Sequence, residues 1–150
     1  LASGSLVNEA VIAQGKLAKW GIRATIWCVT NYKRLREESL DADRHNMMNP
    51  TGQKKQSYLQ SLLEKTTGPF VAVSDNLKLV SDQIGQWIPG GLLSLGTDGY
   101  GRSDTREHLR HFFEVNDPMI RLACMTQLKT QGKLSQSTFD EWFKKFKWNT

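Results

Sequence analysis

The stretch Gly96-Thr97-Asp98-Gly99-Tyr100-Gly101 limits what this chain can fold into more than any other. Its three glycines free the backbone for φ > 0 and for close approach by another group. The apolar run Leu92-Leu93-Ser94-Leu95 comes before it, and Arg102-Ser103-Asp104-Thr105-Arg106-Glu107-His108-Leu109-Arg110-His111 comes after. Asp104, with Glu107 three residues on, predicts a helix start of the capping-box type. The unit reads strand, glycine-rich loop, helix. In open α/β sheets that junction falls at the carboxyl end of a strand, where ligands and partner surfaces gather.

Four apolar runs have strand character: the start at Leu1, the β-branched run from Ala24 to Thr30, Phe70 to Ser74, and Leu92 to Leu95. Their brevity and unbroken apolar character suit strands buried on both faces. Helical patterns lie between them. Val7, Val11, Leu17 and Ala18 share a face in a segment ending at Trp20-Gly21, with Gly21 as its C′ residue. Leu77, Val80, Ile84, Trp87 and Ile88 form a 3.6-residue stripe stopped by Pro89-Gly90-Gly91. The polar stretch from Asn31 to Gly68 predicts one or two helices with a loop around Met47 to Gly52, and Tyr58, Leu59, Leu62 and Leu63 supply a helical face after it.

Further on, Asp117 stands as a capping residue before Pro118. Ser137 opens a last helix carrying Phe139, Trp142, Phe143 and Phe146 at i, i+3, i+4 and i+7. The order predicts an α/β fold, with a mostly parallel sheet of about four to five strands flanked by helices on both faces. At 150 residues the chain fits one domain spanning 1–150. Leu1-Ala2-Ser3-Gly4-Ser5 reads like the end of a strand already under way, so the expectation is a fragment of a much longer chain.

Composition narrows the classes. Hydrophobic residues at 39% and charged residues at 23% are ordinary for a soluble globular domain. No apolar stretch approaches the roughly 20 residues of a membrane helix. Cys28 and Cys124 have no metal-site or redox spacing; two buried, reduced thiols are expected, and with them a cytoplasmic compartment. A net charge of +5 raises the question of nucleic acid, but the charge is dispersed. Its densest run, Lys144-Lys145-Phe146-Lys147, reads as a solvated helix end where cations offset the macrodipole. Neither a membrane nor a nucleic acid is expected as partner.

The run from Gly96 to Glu114 resembles the signature of the C-terminal domain of the homodimeric pyruvate dehydrogenase component, in the transketolase-like family of thiamine diphosphate enzymes. Leu1 to Ser5, Asp43-Arg44-His45-Asn46-Met47 and Val73-Ser74-Asp75-Asn76-Leu77-Lys78-Leu79 match in the same order, so the resemblance covers nearly the whole chain. It implies the transketolase C-terminal fold. It also implies a parent enzyme that decarboxylates pyruvate on thiamine diphosphate and Mg2+ and passes the acetyl group to lipoyl groups. The implied partners are the remaining domains, the homodimer mate and the dihydrolipoamide acetyltransferase of the complex. One departure matters. Where the family has His-Pro, this chain has Asn49-Pro50, so no role of that histidine carries over.

The family's cofactor motif, Gly-Asp-Gly followed by Asn-Asn, is absent from the sequence. The glutamate that activates the cofactor belongs, by resemblance, to the middle domain. Catalytic and cofactor-binding residues are therefore expected outside this chain.

The candidates within it are interface or anion-binding residues: Asp98, Tyr100, Arg102, Ser103, Asp104, Arg106, Arg110 and His111. Arg102, Arg106 and Arg110 recur every four residues and predict one drifting helical stripe. Two readings stay open. The arginines pair with Asp98, Asp104 and Glu114 (Arg110 with Glu114 at i, i+4 in particular), or they join the helix start in binding an anion or nucleotide. Tyr100, between two glycines, reads as an interface anchor or as a cap on its own sheet. His108 and His111 lack a third partner for a metal.

Overall fold

The computed structural model describes residues 1–146; Lys147 of the basic run lies outside them. Two regular strands, β1 (Phe70–Val73) and β2 (Leu92–Leu95), pair in parallel, with Phe70 opposite Leu92 and Val73 opposite Leu95. Two more extended segments join only through isolated parallel bridges, Ala2 with Val73 and Ala2 with Cys28. Val73 N–H donates to Leu1 O at 2.9 Å and Val29 N–H to Ala2 O at 2.8 Å, which sets residues 1–3 between residue 28 and β1.

The expected sheet of four to five strands is therefore a two-stranded ladder with a bridged margin. The reason is local. Gly4, at φ +58°, turns the chain into a helix after three extended residues. In the run from Ala24, the Gln14 side chain takes Ala24 O at 2.6 Å, where a strand neighbour would otherwise donate.

Among the described residues seven α-helices surround this sheet: α1 (Leu6–Ala18), α2 (Tyr32–Met48), α3 (Tyr58–Leu63), α4 (Lys78–Asp82), α5 (Arg106–Phe112), α6 (Asp117–Thr130) and α7 (Gln136–Lys145). The period-2 alternation of a strand divides its side chains between two layers. Val71, Val73, Leu93 and Leu95 pack with Leu6, Ala10 and Ala13 of α1 and with Ile120 and Ala123 of α6. Phe70 and Leu92 belong to the other layer, with Tyr32, Leu59, Leu63, Ile84, Trp87 and Ile88. On that side Ser81 of α4 donates to Ser94 Oγ of β2 at 2.9 Å, satisfying a buried hydroxyl. Leu17, Met125 and Trp142 tie α1, α6 and α7 together.

Local chemistry sets several of the helix ends. Gly21 sits at φ +74° with Ile22 N–H on Leu17 O and Gly21 N–H on Ala18 O, a Schellman motif as expected. The cap of α6 is Asn116, not Asp117, and that of α7 is Ser135, not Ser137. In each case the capping residue is extended and its oxygen accepts from the amide three residues on, Met119 N–H at 3.2 Å and Thr138 N–H at 3.1 Å.

The stripe from Leu77 to Ile88 is not one helix. It breaks into α4 and a 3₁₀ turn at Gly85–Trp87. The tighter turn buries Ile84, Trp87 and Ile88 and lets Trp87 Nε1 donate to Asp43 at 2.8 Å, while Leu77 and Leu79 stay exposed.

Cys28 is exposed, against the expectation of two buried thiols, because alternation along the bridged edge puts it opposite the buried Val29. Cys124 is half-buried, and burial pushes its thiol up to about 11.

Candidate functional site

Three chain segments leave the carboxyl edge of the sheet side by side and are bonded to one another. Ser5 Oγ donates to Asp75 Oδ2 at 2.9 Å, Thr97 Oγ1 donates to Asp75 O at 2.6 Å, and Thr97 N–H donates to Asn76 O at 2.9 Å. Gly96 makes this closeness feasible. A Cβ there would lie 2.6 Å from Asn76 O and 2.8 Å from Lys78 N, both backbone atoms that cannot give way.

Asp98 then accepts from Lys78 N–H at 2.9 Å and lies 3.6 Å from its Nζ. Its partner is thus the start of α4 and not an arginine. Gly99 turns at φ +99°, and Tyr100 between Gly99 and Gly101 is 96% exposed. The reading of Tyr100 as a presented ring agrees with that exposure; it does not cap its own sheet.

The arginines separate. Arg102 precedes α5, so the three-residue helical stripe does not form; its guanidinium lies 4.0 Å over the Phe112 ring. Ser103 is exposed beside it. The cap of α5 is Thr105, whose oxygen accepts from His108 N–H at 3.3 Å, displacing the expected Asp104–Glu107 box by one residue. Asp104 is engaged otherwise. It accepts from Thr105 N–H at 2.7 Å and faces His108 Nδ1 at 3.0 Å, and the backbone bond first, then the imidazole, hold its carboxyl below the usual range. Arg106, the first residue of α5, is exposed.

Arg110 alone is substantially buried. Nη1 donates to Glu9 Oε1 at 2.7 Å and Nη2 to Ser5 Oγ at 3.1 Å, with the two charged side chains 17% and 13% exposed. Glu9 Oε2 also accepts Asp117 N–H at 2.8 Å, so one carboxylate joins α1 to α5 and α6. The i, i+4 pair of Arg110 with Glu114 is therefore overturned. Glu114 occupies φ +59°, with Val115 N–H on Arg110 O and its own N–H on His111 O. That closing turn carries it off the helix before it can face Arg110.

Arg102, Arg106 and Arg110 nonetheless line one cleft of about 540 Å³, with Asp75, Asp104, Leu109, Phe113 and Val115. Arg106 and Arg110 also line a second cleft of about 680 Å³ with His108, His111 and Glu9. Glu9, Ser5 and Asp75 escaped sequence reasoning because the contacts that join them to the site, Ser5 to Asp75 and Arg110 to Glu9 and Ser5, span 70 to 105 residues of chain. Glu9 as an acidic first-turn residue of α1 is the one local hint.

The donor set does not suit a diphosphate-bound Mg2+. Asp75, Asp98 and Asp104 are each committed to hydroxyl, amide or imidazole donors, and no three His, Cys, Asp or Glu residues cluster as metal ligands among the described residues. What the arrangement offers is a braced surface with a projecting aromatic ring. No described helix is long and apolar enough to cross a membrane.

This chain belongs to the family of transketolase-like TK C-terminal domains, whose pattern matches residues 1–116. Among curated proteins it is similar to the pyruvate dehydrogenase E1 components of three bacteria. That of Pseudomonas aeruginosa is 37% identical over 148 residues, which is 97% of this chain and 17% of the relative. That of Cupriavidus necator is 35% identical over 147 residues, 97% of this chain and 16% of the relative. That of Escherichia coli K12 is 32% identical over 148 residues, with the same two shares as Cupriavidus necator. The chain spans about a sixth of the length of these relatives. Helices α6 and α7 lie beyond the family match but within the similarity to the relatives.

Proposed function

We propose that residues 1–150 form the C-terminal domain of a longer pyruvate dehydrogenase of the thiamine diphosphate-dependent, homodimeric type. The observation that carries this reading is the 37% identity along nearly the whole chain to a relative of which the chain makes up only 17%. The parent enzyme decarboxylates pyruvate and acetylates lipoyl groups of an acetyltransferase core. Its cofactor is thiamine diphosphate with Mg2+, held by other domains. The contribution of this domain is assembly. Glu9, Arg110 and Ser5 brace α5 against α1, and the brace fixes the loop that presents Tyr100. Asp98 holds the other end of that loop to α4.

The test has two parts. The native polypeptide carrying this sequence is isolated and its intact mass measured, then its pyruvate-dependent acetylation of a lipoyl domain is assayed with and without thiamine diphosphate. The expected result is a mass several times 17.0 kDa and cofactor-dependent turnover. A native mass near that of this chain, or turnover indifferent to pyruvate, overturns the proposal.

A further inference from the structure

We propose that Asp98-Gly99 is a site of spontaneous main-chain isomerisation: Asp98 closes on the Gly99 amide to a succinimide, which water reopens as isoaspartate, freeing the glycine loop from α4. The reaction needs only these residues and water, whatever the parent enzyme does. The Gly99 nitrogen attacks Asp98 Cγ and a C–N bond forms. The hydrogen of that nitrogen and the carboxyl hydroxyl leave together as water. Water then adds to the main-chain carbonyl carbon of Asp98 and breaks its bond to the Gly99 nitrogen, so the chain continues through Cγ.

Eight aspartates occupy the chain, and the amide that follows each decides which can react. Asp41, Asp43 and Asp140 lie inside α2 and α7, where the next amide is held by the carbonyl four residues back. After Asp82, Gln83 N–H donates to Leu79 O at 3.2 Å, and after Asp75, Asn76 N–H donates to Ser74 Oγ at 3.2 Å. Asp117 precedes Pro118, which has no N–H to react. After Asp104, Thr105 N–H donates to Asp104 Oδ1 at 2.7 Å, and its β-branched side chain crowds the nitrogen. Asp98 differs on both counts. Gly99 N–H has no acceptor among the described residues, and Gly99 has no side chain to block the approach. A Cβ there would meet nothing within 4 Å, so the space a ring needs is open.

The carboxyl is also prepared. Lys78 N–H donates to Oδ1 at 2.9 Å, which polarises that oxygen as the carbonyl and takes up charge as Cγ turns tetrahedral. Oδ2 is left to depart, with the Lys78 ammonium 3.6 Å away to protonate it. No main-chain hydrogen bond holds residues 99–103 among the described residues, so the loop can follow the new bond. Isomerisation then puts Cβ of Asp98 into the main chain and leaves a carboxylate directly on Cα. That carboxylate is one methylene too short to reach Lys78 N–H, and the tie between loop and α4 is lost.

The native polypeptide carrying this sequence is aged for weeks at neutral pH, beside a sample kept unfolded in urea. Isoaspartate is read by methyl transfer from S-adenosylmethionine with an isoaspartyl methyltransferase, and placed by electron-transfer mass spectrometry. In the native sample, position 98 is expected to exceed each other aspartate by about tenfold or more, the factor an unbonded amide is worth. Asp98→Glu, which would have to close a larger ring, should abolish that signal. Asp98→Asn, which loses ammonia instead of water, should react faster and gain mass. Circular dichroism checks that both variants remain folded. In the isomerised fraction, hydrogen exchange at the Lys78 amide should be faster than in the parent form.

Isoaspartate at position 98 in the unfolded sample but not in the native one means that the Lys78 contact guards the carboxyl, and overturns the proposal. An even spread over the other aspartates, or a native Asp98→Asn variant that keeps its amide, does the same. Unchanged exchange at Lys78 in the isomerised fraction overturns the release of the loop.

Discussion

Gly96→Ala is a small change whose cost the geometry fixes closely. The new methyl would stand 2.6 Å from Asn76 O and 2.8 Å from Lys78 N, where ordinary contact begins near 3.4 Å. Both neighbours are main-chain atoms, so the loop around Asn76 and the end of β2 must part by roughly 0.6–0.8 Å. That movement stretches the Thr97 N–H bond to Asn76 O, now 2.9 Å, past useful length. Overpacking costs about 1–3 kcal/mol and the lost bond about 1 kcal/mol, so a destabilisation of about 3 kcal/mol is expected. In thermal unfolding this appears as a fall in Tm of about 6–12 °C. Gly101→Ala is the control, since a Cβ there meets nothing within 4 Å, and it should stay within about 0.5 kcal/mol of wild type. A Gly96→Ala variant as stable as that control refutes the argument that the missing side chain is what lets the two loops meet.

Four further outcomes follow from the same geometry. Arg110→Met or Glu9→Gln leaves a mostly buried charge alone and should cost about 3 kcal/mol by urea denaturation, with the double variant costing less than the two singles together. Glu114→Gly relieves a left-handed backbone at φ +59° and should stabilise by about 1 kcal/mol, seen as a higher urea midpoint at unchanged slope. Tyr32 buries a hydroxyl with no partner among the described residues, so Tyr32→Phe should raise stability by about 1 kcal/mol at neutral pH. Burial pushes the Tyr32 phenol up from 10.0 to about 12, so its contribution is intact below pH 10 and lost as pH rises to about 12; urea midpoints across that window should fall in wild type and less in the variant. Iodoacetamide at pH 8 should label the exposed Cys28 in the native chain and leave Cys124 unmodified, as peptide mass spectrometry will read.

The residues that revealed the fold are those whose signal is local. The Gly21 stop is one, and the unbroken apolar character of Phe70 to Val73 and Leu92 to Leu95 is another, because burial on both faces leaves no polar alternation to read. Signals that compete with a neighbour were misplaced by a residue or two. Asn116 and Asp117 both make good caps, and only the extended backbone at Asn116 decides between them. The Leu77 to Ile88 periodicity was genuine as a burial pattern for its second half, yet periodicity does not separate an α-helix from a 3₁₀ turn at Gly85. At the candidate site, Tyr100's exposure was legible from its flanking glycines. The partners of Arg110 and Asp98 were not. Glu9 and Lys78 reach them by folding alone, and sequence spacing favoured Glu114 and the nearby arginines.

The Glu9 brace has a temporal side. Helix α1 leaves the ribosome before α5 and α6, and the groups that satisfy Glu9 lie 101 and 108 residues further along. At synthesis rates of about 5–20 residues per second, those partners emerge some 5–20 seconds later. Through that interval Leu6, Ala10 and Ala13 also lack the α6 residues that cover them in the finished molecule. Parallel pairing of β1 with β2 adds its own wait for the intervening chain. Within these residues the need for chaperone shelter during synthesis is consequently greatest at α1, and cooperative collapse is timed by the arrival of α5 and α6.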